Sequence, residues 1–266
     1  MHITARDGTR LHVRDEGAGP VLAFANSLGT DMRLWDDILP LLPGHRVIRY
    51  DKRGHGGSDV PDPPYTMGAL VSDAETILDT LNIQGCTFIG LSIGGMIAQG
   101  LAVKRPDLIA RMVLSNTAAR IGDDKLWDMR IKTALRDGME PLADGVMERW
   151  FGRDFLASPG HALWRARFCE TPPAGYAGCS AAIKNTDFYT PTSGLRLPTL
   201  AIAGSEDGAT PPDLVRETAD LIPGSRFELI RRAGHLPCVE APEPYAAILR
   251  RFLTDEAEGR DGDPTT

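Results

Sequence analysis

Short apolar, β-branched runs and longer amphipathic stretches take turns along the first half of the chain. The runs VLAFA from Val21, RVIRY from Arg46, CTFIG from Cys86 and RMVLS from Arg111 are bounded by turn residues and read as buried strands. Between them DMRLWDDILPLL, MGALVSDAETILDTL and IGGMIAQGLAVKRP read as helices. Leu70, Ile77, Leu78 and Leu81 of the second fall near helical spacing, and Lys104 and Arg105 before Pro106 close the third. Strands alternating with helices predict βαβ crossovers and a parallel sheet, an α/β fold.

The alternation stops from about Arg120 to Pro191, where DDKLWDMRIKTALRDGM, PLADGVMERWF and GHALWRARFCE read as helices without a strand. It resumes with LPTLAIAG, a helix at PDLVRETADLI, a strand at RFELI and a last helix near PYAAILRRFL. The expected organisation is a core domain of residues 1–119 and 192–255, a helical cap of 120–191 over the sheet, and a charged tail of 256–266 without apolar anchors, expected to be disordered.

Within this frame GLSIGG, at positions 90 to 95, places Ser92 between glycines, after a predicted strand and before a predicted helix. That setting presents a serine hydroxyl above the sheet edge on a sharp turn, with the N–H of Ile93 and the helix dipole available to a developing oxyanion. A nucleophilic serine needs a base and an orienting acid. LAIAGSEDGATPP offers Asp207, with Glu206 as the alternative, and FELIRRAGHLPCVEAP offers His235, each in a loop after a predicted strand. His55 in DKRGHGGSD is the rival base, but it precedes Ser92, the wrong chain order for this arrangement. A second oxyanion donor is expected from FANSLGTD, with Leu28 supplying its N–H and Asn26 and Gly29 shaping the turn.

Composition narrows the function classes. A formal charge of −7 and no lysine–arginine run argue against nucleic acid, and 42% hydrophobic with 24% charged residues is ordinary for a globular chain. The four cysteines form no CxxC pair and no zinc-site spacing, so no metal is expected. The start MHITARDGTRLHVRD lacks the apolar core of a signal peptide, and no stretch is long enough to span a bilayer, so a cytoplasmic location is the expectation.

From about Ala5 to Leu253 these pieces resemble the α/β-hydrolase superfamily, whose fold is a mostly parallel sheet flanked by helices with a helical cap insertion. Within it NSLGTDMRLWDDILPLL, RYDKRGHGGSD, GLSIGGMIAQGLA, MRIKTALRDGMEPLADGVMERWF and AGSEDGATPP look like the 3-oxoadipate enol-lactonases. The first oxyanion position reads N-S-L-G where many relatives have H-G-x-G, which keeps the backbone donor. The resemblance implies cofactor-free hydrolysis of a small lactone that carries a carboxylate, in the β-ketoadipate route of aromatic catabolism. A cap cation should meet that carboxylate: Arg130, with Trp127 closing the pocket beside it, is the first choice, and Arg33, Lys132 and Lys184 are the others. Other ester or carbon–carbon hydrolases and perhydrolases share the triad, and a hydrolase-fold receptor would keep it with little turnover.

Overall fold

The computed structural model describes residues 1–254, so the tail expected from residue 256 lies outside the described residues. The chain opens with two strands that its hydrophobic pattern did not announce, β1 (His2–Thr4) and β2 (Arg10–Gly17). In β2 only Leu11 and Val13 are fully buried among charged neighbours, too brief an alternation to stand out. The expected strands follow as β3 (Val21–Ala25) and β4 (Arg46–Tyr50).

Between β3 and β4 the expected helix is replaced by two single turns of 3-10 helix, Met32–Trp35 and Leu39–Leu41. Pro40 explains the break, because it has no N–H to donate and its ring would collide with the carbonyl of Asp36 in a continuous helix. Leu34, Trp35 and Ile38 are nonetheless buried, so the apolar spacing that suggested a helix is used for packing alone.

Beyond β4 come α1 (Met67–Thr80), β5 (Cys86–Leu91), α2 (Ile93–Lys104) and β6 (Ile109–Ser115). Thr66 caps α1 by accepting the Ala69 N–H on its hydroxyl. All six residues of β5 are buried, as a central strand covered on both faces requires.

The interruption between β6 and the next strand holds α3 (Asp124–Asp137), α4 (Glu140–Trp150), α5 (Arg153–Leu156), α6 (Gly160–Cys169), α7 (Pro173–Lys184) and α8 (Tyr189–Ser193), without a strand. The helix α7 was not legible. It is buried over nearly its whole length, so it has no polar face to set a helical period, and its Pro, Gly and Ser content reads as a loop. Gly175 is needed there, since a Cβ would collide with the backbone of Gly54, and this contact lays α7 directly on the loop after β4. The chain ends with β7 (Thr199–Gly204), α9 (Pro212–Asp220), β8 (Arg226–Ile230), α10 (Pro237–Glu240) and α11 (Pro242–Thr254).

The eight strands form one sheet in the order β1-β2-β4-β3-β5-β6-β7-β8. The pairs β1/β2 and β2/β4 are antiparallel and all the others parallel. The carboxyl ends of β3, β5, β6, β7 and β8 therefore open on the same edge, the side on which ligands meet open parallel sheets.

Candidate active site

Ser92 joins β5 to α2 with φ 58° and ψ −119°, a left-handed conformation that a non-glycine residue adopts only under constraint. The constraint is visible. The Ser92 N–H donates to Ser115 O at the end of β6 (3.0 Å), and its carbonyl accepts from Thr117 Oγ1 (2.6 Å). Small residues make the turn sterically feasible, because a Cβ on Gly90 would overlap the Gly94 carbonyl, and one on Gly94 the carbonyl of Ala25 in β3. Gly94→Ala is accordingly expected to cost about 1–3 kcal/mol through overpacking against backbone. Thermal denaturation should show a Tm several degrees lower, and an unchanged Tm would mean that the turn is not confined as described.

The loop after β7 brings Asp207 to 2.8 Å from His235 Nδ1, which comes from the loop after β8. Five donors converge on the Asp207 carboxylate: Oδ1 accepts from the N–H groups of Ala209 and Thr210, and Oδ2 from Asn116 Nδ2, Thr210 Oγ1 and His235 Nδ1. Burial by itself would raise its pKa, but His235 and these donors outweigh it and hold the carboxyl below the usual range. Asn116 bonds Gly234 O as well, tying the acid loop to the base loop from the end of β6. Glu206, the alternative acid, turns the other way and accepts from the Arg153 N–H (2.9 Å) and guanidinium (3.1 Å).

His55, the rival base, is buried and engaged elsewhere: its Nε2 accepts from the Gly29 N–H at 3.0 Å, and its Nδ1 lies 3.3 Å from Arg53 O. Burial, with the Lys52 charge adding to it, pushes its pKa well down, so the ring is neutral. Asn26 shapes the start of the same loop by accepting from Trp35 Nε1 (2.7 Å) and donating to Tyr50 O (2.9 Å).

Ser27, Leu28, Ser92 and His235 line one cavity, and the inserted helices roof it with Trp127, Arg130, Arg149 and Tyr176. The space in it open to the centres of water-sized solutes is only about 30 Å³, so the pocket beside Ser92 is narrow. The roof is stitched to the loops beneath it. His235 N–H donates to Trp150 O (2.6 Å), Gly208 N–H to Arg149 O (3.1 Å), and the Glu240 carboxylate accepts from Gly152 N–H (2.8 Å) and Gly234 N–H (2.7 Å).

Two guanidinium groups face this cavity with no carboxylate in ion-pair range among the described residues, Arg130 and Arg149. Arg130 donates to Tyr176 OH at 3.4 Å and lies 5.4 Å from the Trp127 ring centre. The Nε of Arg149 is buried without a partner, and burial together with the Arg130 charge pushes its pKa down from the usual value. Of the other candidate cations, Arg33 pairs with Asp31 and Glu170 and Lys184 with Asp128, and neither they nor Lys132 line this cavity.

A family model described as the α/β hydrolase fold matches residues 20–242. The chain belongs to the α/β-hydrolase fold family. Among relatives of this hydrolase is 3-oxoadipate enol-lactonase 2 of Acinetobacter baylyi, 32% identical with 88% of this chain and 90% of that protein aligned. The same organism's 3-oxoadipate enol-lactonase 1 is 33% identical, with 94% and 96% aligned. A solved enol-lactonase from Burkholderia xenovorans superimposes with a TM-score of 0.91 at 38% identity, covering 96% of this chain and all of the other. Such relatives imply a small-molecule substrate, and among the described residues no helix is long and apolar enough to cross a membrane.

The residues that the sequence of this hydrolase offers for the site are Ser92, Asp207, His235, Leu28, Ile93, Trp127 and Arg130. The structure brings them to one end of the sheet: all but Asp207 and Ile93 line the cavity itself, Asp207 lies behind His235, and Ile93 follows Ser92. Asn116, Thr210 and Arg149 join them in the structure without having been expected from the sequence. Asn116 carried one usable signal, its place directly after a buried parallel strand, whereas Arg149 read as an ordinary polar position on the helix MERWF.

Proposed function

We propose that this hydrolase opens 3-oxoadipate enol-lactone to 3-oxoadipate, with Ser92 as nucleophile, His235 as general base and Asp207 as the acid that orients it. The observation that carries the choice of substrate is the pair Arg130 and Arg149, two cations with no carboxylate in ion-pair range among the described residues, in the cavity that Ser92 and His235 share. A neutral ester gives such a pair nothing to bind, whereas the side-chain carboxylate of the lactone does. The similarity to two enol-lactonases over most of their length supports the same reading.

In this mechanism Ser92 Oγ attacks the lactone carbonyl as His235 Nε2 takes its proton, and the oxyanion is met by the N–H groups of Leu28 and Ile93. Ile93 is the first residue of α2, so its N–H has no acceptor within the helix. Collapse of the intermediate breaks the ring C–O bond, and the imidazolium of His235 gives the proton it took from Ser92 to the departing enolate, which becomes the ketone and leaves the imidazole neutral. His235 then activates water against the acyl-enzyme, releasing 3-oxoadipate and free Ser92. This chemistry needs no cofactor, and among the described residues there is no cluster of His, Cys, Asp and Glu able to hold a metal.

Arg149→Gln and Arg130→Gln test the carboxylate contact. Each is expected to raise KM for the lactone by about 10- to 100-fold, the worth of a charge-assisted hydrogen bond, with kinetics on neutral aryl acetates changed by less than about threefold. Equal losses on both substrates would show that these arginines do not bind the substrate carboxylate.

A further inference from the structure

The loop after β4 inserts two polar side chains beneath the oxyanion loop that the mechanism above does not use. Lys52 is 2% exposed, and its Nζ donates to Ser27 O (2.6 Å) and Thr30 O (3.1 Å). His55 is 1% exposed and holds the Gly29 N–H, while the Thr30 N–H turns back to Ser27 O at 3.3 Å. Of the N–H groups at 28, 29 and 30, that of Leu28 is left without an acceptor among the described residues.

Ser27 O and the Leu28 N–H belong to one peptide group, whose planarity points them in opposite directions. We propose that Lys52 is a positioning residue that acts through this peptide: its ammonium bonds the carbonyl end, and the N–H at the other end is the oxyanion donor. The cation and the developing oxyanion then lie at the two ends of one dipole, and the polarised N–H is a stronger donor than a free amide. His55 holds the next peptide by its N–H and keeps the turn from rotating. The inference rests on Leu28 being an oxyanion donor, as proposed above.

Lys52 has no carboxylate in ion-pair range among the described residues, so its charge is compensated by carbonyl dipoles and by more distant groups. Those facing it are Cys179 on α7, Asp31, which pairs with Arg33, Asp51, whose oxygens accept from Met32 and Gly57 N–H and from His12, and neutral His55. A buried ammonium is a poor way to stabilise a fold, and an apolar residue of similar length often does better. That asymmetry separates a functional role from a structural one. Burial also pushes the Lys52 pKa down to about 8, so its charge, and with it the extra rate, should fade as pH rises through that value.

The test uses p-nitrophenyl acetate, so that it does not depend on the lactone being the natural substrate. Lys52→Met is expected to lower kcat by about 10- to 100-fold with KM within about threefold, to keep or raise Tm, and to lose the fall in kcat that is expected of the wild type above about pH 8. His55→Leu should lose about tenfold in kcat, and His55→Gln, whose side-chain carbonyl can accept the Gly29 N–H, should restore most of it. A folded Lys52→Met enzyme with wild-type kcat overturns the proposal. If that variant does not fold, the His55 pair decides, and wild-type kcat in His55→Leu overturns it. Ser92→Ala is run beside them: if it still turns over the acetate, the nucleophile assignment fails, a result distinct from failure at Lys52.

Discussion

Ser92→Ala is expected to lower kcat on any acyl substrate by about 10⁴- to 10⁶-fold, because removing the proposed nucleophile leaves only oxyanion stabilisation and binding to act on water. The fold should not register the change. Ser92 is held by its backbone, through the bonds to Ser115 O and from Thr117 Oγ1, and no side-chain bond of its own is broken by the substitution. Alanine also suits the site sterically, although its φ of 58° remains as costly as before. Equal Tm and circular dichroism together with lost activity are therefore the expected result. Retained turnover would move the chemistry to a water activated directly by His235.

Asp207→Asn should be nearly as severe, with kcat falling by about 10⁴-fold. In the wild type the ionised carboxylate only accepts, which keeps the His235 proton on Nδ1 and leaves Nε2 free to act as base. An asparagine amide in that place either presents N–H₂ to Nδ1, selecting the wrong tautomer, or presents its oxygen and sets N–H₂ against the Ala209 and Thr210 N–H groups. Glu206→Gln has no such consequence: its carboxylate bonds Arg153 and not His235, and a change in kcat below about threefold is expected. Steady-state rates for the pair decide, and the reverse order of severity would reassign the acid.

The parallel sheet was readable because strands buried on both faces leave continuous apolar runs, such as CTFIGL in β5 and TLAIAG in β7. What escaped reading did so for local reasons. DMRLWDDILPLL has helical spacing, but Pro40 divides it and the apolar residues pack from two short turns. The polar strand β2 and the all-buried α7 lack the contrast between faces that a period needs. At the site, Ser92, His235 and Asp207 stood out as candidates because each follows a recognisable strand in the expected order. Glu206 and Asp207 are adjacent, so only the turn that aims one at His235 and the other at Arg153 separates them. Residues that work through geometry left no such mark. Asn116 spans two loops, Arg149 reaches the cavity from the far end of α4, and Lys52 donates to carbonyls more than twenty positions earlier.

Whether Ser92, His235 and Asp207 serve a carboxylate-bearing enol-lactone is decided by steady-state hydrolysis of freshly prepared 3-oxoadipate enol-lactone, followed by loss of its ultraviolet absorbance, beside p-nitrophenyl acetate. A kcat/KM for the lactone at least about 100-fold above that for the acetate, absent in Ser92→Ala, is the predicted result. Equal or poorer turnover of the lactone would rule that substrate out, leaving a hydrolase whose two cavity arginines bind some other anion.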